Sequence, residues 1–290
     1  MRLTVAIPTR NRRDRLAETL EALAARDVPE RFEVVVVDDG STDETPDFLS
    51  SFAPTAFDFR SERLPGSGPA KARNRAVQLA RGERVLFLGD DTRPAPGTLA
   101  VHMAGDAQTA IQGHIDWDPE AEITEVMDFL APEGPQFYFR GLQDDTAIPY
   151  TAVLGSNFSA PTAWLRDEPY DEGFPDAAFE DTEMAYRWQE RGWQAIYKRQ
   201  ALCWHHHHYG SILPFLERQK RAGRAARYAL GLHRALWWPV ILKPLLFHAY
   251  FLARHGGGIV YRRLRHRADE PITWEHQSRV AFLKGFLESP

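Results

Sequence analysis

Three acidic dipeptides and one histidine run carry most of the chemical potential of this chain: Asp38-Asp39, Asp90-Asp91, Glu180-Asp181 and the four histidines at 205–208. A carboxylate can cap a helix, accept hydrogen bonds from a ligand, or bind a hard cation. Two adjacent carboxylates in a tight turn repel unless a cation neutralises them. Asp90-Asp91 therefore reads as a site for Mg2+ or Mn2+, ions that prefer carboxylate oxygen and commonly share their shell with phosphates. In Asp38-Asp39 one carboxylate can cap while the other accepts hydrogen bonds from a ligand's base or ribose. The plain alternatives are capping at 38–39 and 180–181 and a simple turn at 90–91, with Pro94 and Gly97 nearby.

Four consecutive histidines cannot all face one way, and alternate members of a strand point to opposite sides. One or two of them suit a metal ion, and the others suit solvent or stacking. Arg73, on a helix that follows Gly66-Ser67-Gly68, could meet a phosphate; a lone arginine on a helix is more often solvated. The glycine spacing is not the dinucleotide fingerprint, because Lys71 stands where the third glycine belongs.

The elements that must position these groups follow from periodicity. Residues 3–7, 32–37, 56–60 and 84–88 read as strands. Helices are expected over 14–26, from a capping box at Ser41 and Glu44, and from Pro69 up to a stop at Gly82. The runs at 34–37 and 85–88 are apolar at every position, as in strands buried on both faces of a parallel sheet. Ligands of such sheets bind beyond the strands' carboxyl ends, where both aspartate pairs lie. Further on, a short helix is expected over 98–103, strands over 109–115, 150–159 and 194–198, a helix over 182–191, and an irregular excursion over 116–149. Trp164, Tyr170, Phe174, Phe137 and Tyr138, in the irregular segments, could stack on a sugar or simply pack locally.

With 290 residues the chain can bury a full core, and its 43% hydrophobic and 26% charged content is that of a soluble globular protein. One cysteine excludes a disulfide framework, and residues 1–8 are too short for a secretory signal. A cytoplasmic protein is expected, with peripheral attachment to the cytoplasmic face of the membrane left open. Charge is distributed unevenly: residues 218–268 hold twelve of the 35 Lys and Arg and none of the 40 Asp and Glu. Such a block suits an anionic membrane surface or folds back on the acidic body. Residues 236–252 are nearly long enough to span a bilayer, but Lys243, two prolines and His248 argue instead for a helix pair lying in the interface over 233–267, or for a core hairpin. No nucleic-acid partner is expected.

The stretches 5–12, 37–43, 72–74, 87–91, 155–158 and 179–187, followed by Gly192, resemble in order and spacing the family-two glycosyltransferases of GT-A fold, over about residues 1–225. The resemblance implies an α/β fold with a mainly parallel central sheet flanked by helices and a helical C-terminal extension. The implied domains are 1–225, with a nucleotide-binding half at 1–100 and an acceptor half at 101–225, and a basic, aromatic extension at 226–290. It further implies metal-dependent, inverting transfer of a sugar from a nucleoside-diphosphate sugar to an acceptor hydroxyl, with Mn2+ or Mg2+ as cofactor. The acceptor would be a glycan or lipid-linked glycan of the cell envelope. By the resemblance, Thr9 and Asp39 contact the nucleotide with Asp38 in support, and Pro8, Arg10, Arg73 and Asp90 join that set. Asp91 holds the metal, completed by His205 and then His207; Asp181 is the catalytic base, and Glu180 orients it or touches the acceptor. Gly89 replaces the first aspartate of the family's D-x-D element.

Two other classes compete. A nucleotidyltransferase would carry a glycine-rich basic loop after the first strand, and Thr9-Arg10-Asn11-Arg12 lacks the glycines. A non-catalytic, membrane-attached module that binds nucleotide sugars or glycans would need no base at Asp181.

Overall fold

Alternate residues of the central strands serve two different cores, which is why these runs are apolar throughout. Val34 and Val36 share one core with Leu16, Leu20 and Leu23, whereas Val35 and Val37 share the other with Ala72, Ala76 and Phe158. All four valines are fully buried, each burial stabilising the fold by about 1.5–3 kcal/mol. The computed structural model describes residues 1–26, 28, 30–137, 139–264 and 270–288. Tyr138 and residues 265–267 of the basic segment lie outside them.

The order of elements is β1 (Leu3–Thr9), α1 (Arg13–Ala24), β2 (Glu33–Asp38), α2 (Thr45–Ser51), β3 (Asp58–Arg63), α3 (Pro69–Leu79), β4 (Arg84–Leu88), β5 (Thr92–Pro94), α4 (Thr98–Met103), β6 (Thr109–Trp117), α5 (Glu125–Leu130), β7 (Ala147–Ile148), β8 (Asn157–Pro161), α6 (Thr162–Asp167), α7 (Glu180–Glu190) and β9 (Gln194–His205). They are followed by α8 (Leu213–Leu232), α9 (Lys243–Leu264) and α10 (Pro271–Glu288). The strands form one sheet in the order β3-β2-β1-β4-β8-β6-β9-β5, with β7 on β9. It is parallel from β3 to β4, where helical crossovers join the strands. Beyond that, β8 runs antiparallel to β4 and β6, while β6 and β9 are parallel. The α/β class and the mainly parallel sheet are as the sequence suggests.

Several local expectations change. Ser41 does not cap the next helix: α2 starts at Thr45 with no side-chain cap. Ser41 instead donates its N–H to Asp38 Oδ1 at 2.8 Å and accepts the N–H of Asn11 at 2.8 Å. Gly82 is not a helix terminator, since α3 ends at Leu79; a Cβ there would lie 2.5 Å from the Thr4 backbone nitrogen, so close approach to β1 requires the glycine. The strand expected over 150–159 begins only at Asn157, because Tyr150–Ala152 is a 3-10 turn. The final strand runs on to His205. For the loop aromatics, the described members follow the local-packing alternative. Trp164 stacks on Trp193 at 4.5 Å, Tyr170 and Phe137 are buried, and Phe174 packs edge-on against Tyr228.

The described chain divides into two compact units, one of residues 1–123, 130–172 and 181–208, the other of 124–129, 173–180 and 209–290. The break at Tyr209 places α8 in the same unit as α10. A Cβ on Gly223 would lie 2.0 Å from the Phe282 carbonyl oxygen, so glycine lets the two backbones touch.

Candidate active site

Three adjacent parallel strands, β2, β1 and β4, deliver the first site residues at one edge of the sheet. Thr9 and Asp38 face each other in register at the ends of β1 and β2. Pairing of β1 with β4 stops at Ala6, so Pro8, which has no N–H to donate, lies past that ladder. The turn after β1 is held by Asn11, which adopts a left-handed conformation (φ 54°) and accepts the Thr42 N–H at 2.7 Å; asparagine tolerates that region better than most residues.

Asp38 and Asp39 are both buried. Asp38 holds Ser41, and its second oxygen lies 3.5 Å from Arg63 Nε. Asp39 accepts the N–H groups of Ser67 at 2.5 Å and Gly68 at 2.9 Å, one on each oxygen. The pair thus fastens the 64–68 loop to the end of β2. Gly40 (φ 77°) permits this, since a Cβ there would lie 2.6 Å from the Gly66 nitrogen. Each Asp39 oxygen keeps a second lone pair for a ligand. Arg10 lies exposed beside Gly66 at the rim of this loop.

The Asp90-Asp91 turn is held mainly by side chains from distant elements. Thr9 Oγ1 donates to Asp90 Oδ2 at 2.8 Å, and Thr19 Oγ1 donates to the Asp90 carbonyl at 3.0 Å. Arg12 Nη1 lies 3.3 Å from Asp90 Oδ1 and 2.6 Å from Asp91 Oδ2. His205 Nε2, at the end of β9, lies 3.5 Å from the same Asp91 oxygen, and the backbone N–H of His206 donates to the Asp91 carbonyl. Burial and then the neighbouring Asp91 charge push the Asp90 carboxyl above the usual carboxylate range. Burial also works to raise Asp91, but His205 and Arg12 outweigh it and hold Asp91 below the usual carboxylate range.

Among the described residues no three His, Cys, Asp or Glu side chains form a metal cluster. Asp91 and His205 nevertheless offer an oxygen and a nitrogen close to one another, and His205 Nδ1 is buried without a hydrogen-bond partner among the described residues. This donor pair suits a cation that takes its remaining ligands from phosphate and water. His207 does not continue the strand, which ends at His205, so face-sharing along β9 does not place it. Its ring lies 5.7 Å from that of His205, and burial followed by the His205 charge lowers its pKa to about 4. His206 turns toward Glu18, with Nδ1 3.1 Å from its carboxylate.

The mixed half of the sheet brings in Asp181. Leu88 pairs with Asn157, and the Gly89 N–H donates to the Ser156 carbonyl, so Gly155 lies beside the Asp90-Asp91 turn. The Gly155 N–H donates to Asp181 Oδ2 at 2.8 Å, while Asp181 Oδ1 is buried with no hydrogen-bond partner among the described residues. A Cβ on Gly155 would lie 2.6 Å from Asp181 Oδ1 and 3.2 Å from Arg73 Nε. Arg73 is therefore not on a solvated face: it reaches this glycine and packs over the Tyr170 ring at 5.4 Å. Glu180, buried, opens α7 directly after Phe179, whose φ of 65° is strained for a bulky residue. Sequence reasoning passed over Arg12 and Thr19. Arg12 ends the Thr9-Arg10-Asn11-Arg12 stretch with nothing in its spacing to single it out, and Thr19, in mid-helix, has no local signal.

Comparison with known proteins addresses the family and the fold. The profile described as Glycosyl transferase family 2 matches residues 4–119, and that of Glycosyl transferase family group 2 matches residues 85–262. The chain is 32% identical over 219 residues to the validoxylamine A glucosyltransferase of Streptomyces hygroscopicus subsp. limoneus, covering 66% of this chain and 48% of that one. It is 39% identical over 94 residues to the poly(ribitol-phosphate) beta-N-acetylglucosaminyltransferase TarS of Staphylococcus aureus, covering 31% and 16% of the two chains. The chain thus spans about half or less of the length of these relatives. In fold it is similar to the mannosyltransferase PcManGT from Pyrobaculum calidifontis, solved with GDP-Man and Mn2+, at a TM-score of 0.68 and 20% identity over 99% of this chain and 87% of that one. The sheet is of GT-A type and carries the paired carboxylates at its edge, and the chain belongs to glycosyl transferase family group 2.

Proposed function

We propose that the chain transfers a sugar from a nucleoside-diphosphate sugar to an acceptor hydroxyl, inverting the anomeric carbon, with Asp181 as general base. The observation that carries this reading is the state of the Asp181 carboxylate. One oxygen is fixed by the Gly155 N–H and the other is buried with no partner among the described residues, beside the turn that bears Asp90-Asp91. A hydroxyl is a poor nucleophile at neutral pH and needs such a base within hydrogen-bond reach. Asp181 Oδ1 takes the hydroxyl proton as the oxygen bonds to the anomeric carbon. The bond from that carbon to the diphosphate oxygen breaks on the opposite face, and its electron pair leaves with the diphosphate. No covalent sugar–enzyme intermediate is needed. Glu180, next in sequence, orients the base or touches the acceptor.

Asp39, with Asp38 behind it, Thr9, Pro8, Arg10, Asp90 and Arg73 make up the nucleotide-binding edge. Asp91 and His205, with His207 next, would hold Mn2+ or Mg2+, which when bound neutralises charge on the departing diphosphate. The PcManGT complex with GDP-Man and Mn2+ supports the donor class and the metal. A glycan or lipid-linked glycan of the cell envelope is the acceptor the family resemblance implies; the TarS relative is named for transfer to poly(ribitol-phosphate), which supports a polymeric hydroxyl acceptor.

A panel of UDP-, dTDP- and GDP-sugars with Mn2+ or Mg2+ tests the reading. Metal-dependent release of the nucleoside diphosphate is expected with at least one donor. Asp181→Asn should lower turnover about 100- to 10,000-fold with donor binding retained. Undiminished release in that variant would remove Asp181 as base, and release of pyrophosphate instead would turn the assignment to nucleotidyl transfer.

A further inference from the structure

In the C-terminal unit, the chain from the end of α8 into α9 exposes one continuous apolar stripe. Trp238, Leu242, Leu245, Leu246 and Tyr250 are between 38% and 62% exposed. Trp238–Leu242 form a π-helical turn that runs into α9, and spacings of four, three, one and four residues keep these side chains near one side of it. The next positions of the same stripe, 249 and 253, are exposed alanines. Stripes of this size on a soluble protein mark an interaction surface.

The opposite side is packed on protein. Leu236, Val240, Ile241 and His248 are buried. The His248 ring stacks on His276 of α10 at 5.2 Å, and Arg279 of α10 donates to the Pro244 carbonyl at 3.2 Å. By length and composition, residues 234–256 could cross a bilayer. A crossing helix meets lipid on its outward sides along its whole length, whereas this one holds a histidine pair and a protein contact at its middle. The arrangement fits a helix lying flat, with one face in protein and one face free.

Charge selects the partner. Part of the basic block is neutralised inside the unit, where Lys220 pairs with Glu288 at 2.6 Å and Arg224 with Asp176 at 2.8 Å. Arg234 and Arg254 remain exposed at the two ends of the stripe, in a stretch without a single carboxylate. Tryptophan and tyrosine on the stripe suit the headgroup level. We infer that the 234–256 segment lays its Trp238–Tyr250 stripe on the surface of an anionic phospholipid bilayer, with Arg234 and Arg254 on the headgroups. This inference is independent of the sugar-transfer reading.

Flotation of the full chain with vesicles of phosphatidylglycerol and phosphatidylcholine, or of phosphatidylcholine alone, tests it. The protein should float with the anionic vesicles and much less with the neutral ones. Trp238→Ser and Leu246→Ser should each lower partitioning about tenfold. Arg234→Glu and Arg254→Glu should each lower it about fivefold, on anionic vesicles only. Thermal melting, unchanged in all four variants, checks that the exposed substitutions leave the fold intact. Wild-type protein that stays at the bottom of the gradient with anionic vesicles overturns the inference, as do stripe variants that float like wild type. So does light scattering that finds a dimer which the stripe substitutions dissociate, with no protein on the vesicles: the stripe would then face a second copy.

Discussion

The two aspartate pairs have nearly the same sequence setting and opposite surroundings. Asp38-Asp39 is held mainly by backbone N–H groups, from Ser41, Ser67 and Gly68, all in loops at that corner. Asp90-Asp91 is held mainly by side chains from other elements: Thr9, Arg12 and His205. Backbone donors fix a carboxylate in place, which suits a frame on which a nucleotide could rest. A side-chain cation such as Arg12 balances charge and can be exchanged for another cation, which suits a site where charge arrives and departs. Position at a strand end therefore says where a ligand binds, and the donors around the carboxylate say what kind of work it does.

The largest effect should come from the charge site. Asp91→Asn keeps the shape of the side chain but removes the charge that faces Arg12 and His205. Turnover with any donor that works should fall about 100- to 1,000-fold, and Mn2+ binding should weaken in the same variant when followed by calorimetry. Asp39→Asn is expected to act differently. It should raise the donor KM and leave kcat within about threefold, the pattern of lost uniform binding. Equal loss of kcat in both variants would erase the distinction between frame and charge site.

How much of this was legible in the sequence varies with range. The four parallel strands and their helices show in periodicity, because β-branched runs and apolar spacing are local signals. The edge at which both pairs meet follows from the parallel order. The antiparallel insertion of β8 between β4 and β6, which brings Gly155 and Asp181 beside Asp90-Asp91, is a long-range pairing with no local mark. The same holds for the ends of β9 and β5, where Thr92 opposite His205 sets the histidine against Asp91. The capping box at Ser41 misled because Asp38 and Asn11 compete for the same serine. Burial of Trp164 and Tyr170 was likewise a matter of tertiary packing, not composition.

Stability should separate the pairs next. Asp38→Asn leaves the buried Ser41 N–H facing a poorer acceptor and should cost about 1–3 kcal/mol in urea unfolding. Asp90→Asn should be milder, since it also removes repulsion from Asp91. If Asp90→Asn proves the more damaging, the backbone-held pair is not the frame.

The scaffold contributes its own pH dependence, which must be known before either pair is titrated. His102 is buried between Ser159 and Asn157, at 2.8 and 3.0 Å, and burial lowers its pKa to about 3. In the unfolded chain it takes a proton near 6.5. Between these values the unfolded state binds more protons, so stability is full above about 6.5 and falls as pH drops, by about 1.4 kcal/mol per pH unit from this residue. Urea unfolding from pH 7 to pH 5 should show that slope, and His102→Gln should flatten it. An unchanged slope would mean that another buried group is responsible.

The smallest effect is the one that bears most directly on the difference between the pairs. Arg12 lies on Asp91 Oδ2, the oxygen that also faces His205. A guanidinium and a divalent cation on the same oxygen compete, and the arginine side chain, nearly half exposed, can swing away at little cost. Partly exposed ion pairs contribute about 1 kcal/mol or less. Arg12→Gln should therefore tighten Mn2+ binding to the donor-free protein by about three- to fivefold, read by calorimetry or by the electron-spin signal of free Mn2+. Nothing comparable should follow from Arg63→Gln, since Arg63 lies beside Asp38, whose first oxygen is already held by a backbone N–H. Weaker Mn2+ binding in Arg12→Gln would make the arginine part of the frame after all, and the two pairs would then differ in their partners but not in their task.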